Sequence, residues 1–302
     1  NAFTGALTIT TNDSSGTDAD VTIDGGTTAL IIAASTIDGD LTLTSGNVSG
    51  IIDSGTVTVG GNFSATTDAG NGVINVGTMA VDGTVALTTN GNGAATIVND
   101  AALTFAASTV GGALTATATT GNITDSGALA ITGTTTLVTS ADNGTIVLDV
   151  ATNAFTGALT ITTNDSSGTD ADVTIDGGTT ALIIAASTID GDLTLTSGNV
   201  SGIIDSGTVT VGGNFSATTD AGNGVINVGT MAVDGTVALT TNGNGAATIV
   251  NDAALTFAAS TVGGALTATA TTGNITDSGA LAITGTTTLV TSADNGTIVL
   301  DV

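Results

Sequence analysis

Short alternations of apolar and polar residues restart after glycine along the whole chain. Clear examples are Gly5-Ala6-Leu7-Thr8-Ile9, Gly39-Asp40-Leu41-Thr42-Leu43, Gly61-Asn62-Phe63-Ser64-Ala65 and Gly83-Thr84-Val85-Ala86-Leu87. Gly112-Ala113-Leu114-Thr115-Ala116 and Gly133-Thr134-Thr135-Thr136-Leu137 continue the series. A period of two with one apolar face predicts half-buried β-strands, and the Gly, Asn and Asp between the runs predict turns. The third residues of these runs advance by 34, 22, 22, 29 and 21 residues and return after 24 more at Leu159. Two further short strands are predicted within each step, such as Gly50-Ile51-Ile52 and Thr56-Val57-Thr58-Val59, or Asn122-Ile123-Thr124 and Ala128-Leu129-Ala130-Ile131. Three strands per coil of about 22 residues, always returning to the same place, predict an all-β, three-sided parallel β-helix solenoid. The steps count about six coils in each repeat.

The glycine and β-branched content argues against helices. The core is expected in two stacks. Leu7/Ile9, Leu41/Leu43, Phe63/Ala65, Val85/Leu87 and Leu114/Ala116 form one. Leu30/Ile32, Val57/Val59, Met79/Val81, Leu103/Phe105 and Leu129/Ile131 form the other. Parallel stacking at about 4.8 Å per coil gives a rise of roughly 29 Å for six coils.

A longer period lies over the shorter one. Residues 1–150 recur without change as residues 153–302, joined by Ala151-Thr152. We therefore expect two β-helix repeat units, 1–152 and 153–302, in a continuous solenoid without a linker. Identical tandem units are the mark of an array whose members complete their cores against one another. The chain starts and stops at the same point of the unit, as a window cut from a longer array would. Each unit also looks internally duplicated: Leu30-Ile31-Ile32-Ala33-Ala34-Ser35-Thr36-Ile37 matches Leu103-Thr104-Phe105-Ala106-Ala107-Ser108-Thr109-Val110.

The stretch Asp40 to Ser45, continuing through Gly50 to Val59, resembles the repeats of filamentous-haemagglutinin-type giant bacterial adhesins, and Gly112 to Ile131 reads the same way. The resemblance implies a right-handed β-helix shaft, export across the outer membrane and display at the cell surface.

Composition narrows the chemistry. The chain has no Lys, Arg, His, Cys, Pro, Trp or Tyr, and 26 acidic residues, all Asp, for a net charge of −26. Phosphate backbones and anionic membrane surfaces would be repelled, so nucleic acid and such membranes are not expected partners. Expected partners are cations and further copies of the chain, end to end or side by side. General base catalysis usually recruits His, Cys, Lys or a tuned Glu, so no enzymatic activity is expected.

Three features carry candidate chemistry. The first is an Asp cluster in the first coil, Asp13, Asp18, Asp20 and Asp24, repeated as Asp165, Asp170, Asp172 and Asp176. Hard oxygen ligands suit Ca²⁺ at 2.3–2.6 Å, making calcium the candidate cofactor. The opposing reading is a set of solvated charges that discourage lateral sticking. The second is a threonine face, Thr8/Thr10, Thr42/Thr44, Ser64/Thr66, Ala86/Thr88, Thr115/Thr117 and Thr136/Val138. Its Thr-x-Thr spacing resembles ice-binding β-helices, and equally suits an ordinary solvent face or filament packing. The third is a set of glycosylation sequons at Asn12, Asn47, Asn62, Asn122 and Asn143, which an Asn-, Ser- and Thr-rich chain also generates by chance. The expected role is a structural repeat segment of an extracellular filament or adhesin shaft. The alternative is a calcium-dependent or ice-directed binding module.

Overall fold

A computed structural model describes residues 1–14, 19–166 and 170–302. No helix occurs among them, and their strands pair in parallel. The chain is a parallel β-solenoid of about 13 turns, more than the twelve that six per repeat would give. It packs as two compact units, residues 1–141 and 142–302.

In the first unit the strands fall into two sheets. One carries Val21–Asp24, Leu41–Ser45, Phe63–Thr67 and Thr84–Thr88, with Val21 paired to Leu41, Leu41 to Phe63 and Phe63 to Val85. It continues through Leu103–Phe105 and Ile123–Asp125, where Val85 meets Phe105 and Leu103 meets Ile123. The other sheet runs through Leu30–Ile32, Ile51–Asp53, Ile74–Val81, Ala95–Asn99 and Leu114–Ala118. Its register is Leu30 to Ile51, Ile51 to Ile74, Ile74 to Ala95 and Ala95 to Leu114. The second unit repeats this pattern, with Val173 on Leu193, Leu193 on Phe215, Leu182 on Ile203 and Ile226 on Ala247.

Three strands per coil are seen where expected, as Leu41–Ser45, Ile51–Asp53 and Val57–Val59. One coil higher the last two fuse into the eight-residue strand Ile74–Val81.

The way strands are dealt out to coils differs from the sequence reading. Leu7 bridges to Ile32, and Leu114 pairs with Ala95 and Thr135, so neither belongs to the column of Leu41, Phe63 and Val85. The 34- and 29-residue steps are therefore not single coils. The second expected stack also divides: Leu30 sits on Ile51, whereas Val57 sits on Met79 and Leu129 on Ser108.

The internal duplication gives the reason. From Leu30 the chain climbs three full steps in its sheet, through Ile51 and Ile74 to Ala95, and then crosses to Leu103 in the opposite sheet. The half-repeat thus holds three and a half coils. Matching segments land on opposite faces: Leu41–Ser45 in one sheet corresponds to Leu114–Ala118 in the other.

Burial follows the alternation. Strand Leu41–Ser45 buries Leu41, Leu43 and Ser45 and leaves Thr42 and Thr44 half-buried. The aromatic and aliphatic side chains of the column, Leu41, Phe63, Val85 and Phe105, are at most 1 % exposed. Each such side chain contributes about 1.5–3 kcal/mol by leaving water.

The inward ends of these strands are polar, yet partnered. The Ser45, Thr67 and Thr89 hydroxyls donate to the Thr28, Gly72 and Gly93 carbonyls at 2.9, 2.8 and 2.7 Å. Asn99, 1 % exposed, accepts the Val81 N–H at 2.8 Å and donates to the Val81 and Ala102 carbonyls at 3.0 and 2.7 Å. Such pairing is what makes a buried amide tolerable.

Candidate functional site

The chemistry-bearing side chains gather at the corners between strands. A corner interrupts the ladder, and its backbone N–H groups need other acceptors. Asp, Asn and Thr supply them. The Asp40 N–H donates to Asp20 Oδ1 at 2.8 Å, the Asn62 N–H to Asp40 Oδ1 at 2.6 Å, and the Thr84 N–H to Asn62 Oδ1 at 2.9 Å. One side chain per coil thus receives the amide of the coil above, forming a polar ladder up the corner. Asp172, Asp192, Asn214 and Thr236 build the same ladder in the second unit, at 2.8, 2.6 and 2.9 Å. A second corner is clamped by Asp53, whose carboxylate accepts the Gly77 N–H at 3.0 Å and the Thr78 N–H and hydroxyl at 2.6 and 2.7 Å. Asp205 does the same for Gly229 and Thr230.

The ladder's electrostatics balance two terms. Two carboxylates one coil apart repel by about 1 kcal/mol in water. A hydrogen bond from a backbone N–H to a charged acceptor contributes about 1.5–3 kcal/mol. The bond wins, and the corner holds without any cation in the sequence.

Several residues proposed for calcium are committed to this work. Asp20 and Asp172 each carry a ladder rung. Asp24 and Asp176 fold onto the Gly26 and Gly178 N–H groups, both at 2.7 Å. The N–H groups of Asp13 and Asp165 donate to the carboxylates of Asp38 and Asp190, and the Asp170 N–H donates to Asp165 Oδ2 at 3.2 Å. Asp18 lies outside the described residues. Among the described residues, no group of three or more acidic side chains is placed to hold a metal ion.

The expected threonine face is divided between the two sheets. Thr22, Thr42, Ser64 and Ala86 align in one, and Thr96, Thr115 and Thr136 in the other. Of the sequons, Asn47 and Asn62 already donate their side-chain amides, to the Thr27 carbonyl and to Asp40.

Sequence reasoning missed the ladder and the buried Asn99. The ladder's signal was legible: Asp40, Asn62 and Thr84 each follow a glycine and precede the first inward residue of a strand. Asn99 gives no such signal, because in the run Ala95-Thr96-Ile97-Val98-Asn99 it simply occupies an inward position.

A family model described as Repeats of unknown function (DUF5649) matches residues 18–75, 92–162, 170–226 and 244–302. The chain belongs to this family. Two matches start in each repeat, at residues 18 and 92 and again at 170 and 244. This is the spacing of the internal duplication. No curated protein and no solved structure matches the chain.

Proposed function

We propose that this repeat protein is a segment of an extracellular filament or of the shaft of a giant surface adhesin, with a mechanical rather than catalytic task. The observation that carries the reading is the corner ladder. Side chains that in an enzyme would converge on a substrate are here spent on closing each coil onto the next, as Asp20, Asp40 and Asn62 do. A solenoid so closed gains length by adding coils, each needing only its neighbours. The net charge of −26 favours cations and further copies as partners, and disfavours nucleic acid and anionic membranes.

The test is immuno-electron microscopy of intact producing cells with an antibody against one unit, followed by cryo-microscopy of the labelled material. Surface label on thin filaments with an axial spacing near 4.8 Å is expected. Label confined to the cell interior, or compact particles without that spacing, would overturn the reading.

A further inference from the structure

Several corner carboxylates have a partner in the backbone. Asp100 and its copy Asp252 accept hydrogen bonds only at their main-chain carbonyls, from the Thr120 and Thr272 hydroxyls, and their carboxylates are left open. Asp100 stands at the rim of a dent on the outer surface of the first unit, about 260 Å³ in volume, and Asp252 lines its twin of about 300 Å³ in the second.

The dent has a specific cause. Between strands Ile74–Val81 and Ala95–Asn99 the register slips: Val76 pairs with Ile97 and Met79 with Asn99. Gly77 and Thr78 together therefore face the single residue Val98. This is a β-bulge, a device that re-aims side chains and is common beside functional sites. The Asp53 carboxylate pins both bulged N–H groups, so the shape is set in advance. At its centre is a glycine that neither its φ nor packing demands. A Cβ on Gly77 or Gly229 meets nothing within 4 Å, and neither residue has a positive φ. A strand interior otherwise disfavours glycine by about 0.5–1 kcal/mol. What Gly77 provides is open space.

We propose that this dent is a binding site for a neutral saccharide. Charge excludes anions, since the molecule carries −26 and no cationic side chain. A metal ion is also poorly served, because Ca²⁺ takes six to eight oxygen ligands and the dent holds one free carboxylate. A neutral sugar fits both parts of the surface. Asp100 accepts from two ring hydroxyls, the Thr56 hydroxyl donates or accepts, and Val98 lies beneath the ring's C–H face. The two volumes, about 260 and 300 Å³, lie at or just below the lower limit of ligand sites, which suits a small ligand that stays partly in solvent.

The experiment is saturation-transfer NMR on the full chain with maltotriose, N-acetylchitotriose and β-1,4-galactotriose at about 5 mM, where a Kd of order 1 mM is visible. We expect transfer to at least one of these probes. Gly77→Val with Gly229→Val starts each new side chain from a Cβ that meets nothing within 4 Å, narrows both dents, and should abolish that transfer while leaving the thermal midpoint unlowered. Asp100→Asn with Asp252→Asn keeps the shape and should weaken binding about tenfold, the loss of one charged hydrogen bond. Absence of transfer to all three probes, or transfer that survives both double variants, overturns the assignment.

Discussion

At the scale of single residues, the structure separates side chains that look alike in the sequence. Thr135 is fully buried with no partner for its hydroxyl, whereas Thr67 and Thr89, equally inward, donate theirs. Thr135→Val removes an unsatisfied polar group at nearly constant shape, and should raise the urea midpoint, a gain of about 1–2 kcal/mol. Asn99→Ala, made also at Asn251, strands a buried N–H and two carbonyls. It should cost about 2–4 kcal/mol in the same measurement. Glycines divide in the same way. Gly50 has φ +63°, and a Cβ there would lie 1.7 Å from the Val73 carbonyl oxygen. Gly50→Ala should therefore destabilise by about 2–5 kcal/mol, while Gly77→Ala should stabilise by about 0.5–1 kcal/mol.

At the scale of strands and corners, the unit of stability is the rung from one coil to the next. Asp40→Asn keeps the Oδ1 acceptor for the Asn62 N–H and removes one member of a like-charged pair with Asp20. The neutral acceptor is weaker by about as much as the repulsion it relieves, so the variant should melt close to the parent in 10 mM NaCl and below it in 1 M NaCl, where the repulsion is already screened. Asp40→Ala loses the acceptor and should melt lower at both salt concentrations. The inward positions were legible in the alternation: Leu41, Phe63, Val85, Leu103 and Leu114 are all buried as expected. What alternation does not encode is which coil a strand joins. Leu41 and Leu114 follow the same glycine signal with the same pattern, yet lie in opposite sheets, because the half-repeat carries an odd half turn. The second role of the corner carboxylates was hidden for a related reason. Asp20 and Asp24 read as candidate ligands until the amides of Asp40 and Gly26 are seen to claim them.

At the scale of the whole molecule, cohesion comes from burial and ladders, and 26 uncompensated carboxylates oppose it. Screening them should raise the melting temperature by several degrees between 10 mM and 500 mM NaCl, as followed by circular dichroism. No salt bridges between side chains exist to be weakened by the same salt, so the rise should be monotonic. The half turn in the duplicated unit has one more consequence. Recombination between the two halves of a repeat would shift the chain by three and a half coils. Each inward column would still receive an alternating strand, so the core would accept the splice, but every downstream surface feature would emerge on the opposite side. Exchange between whole repeats keeps the sides as they are. A gene of this design can therefore be lengthened without altering what its product shows, or turned over without redesigning what holds it together.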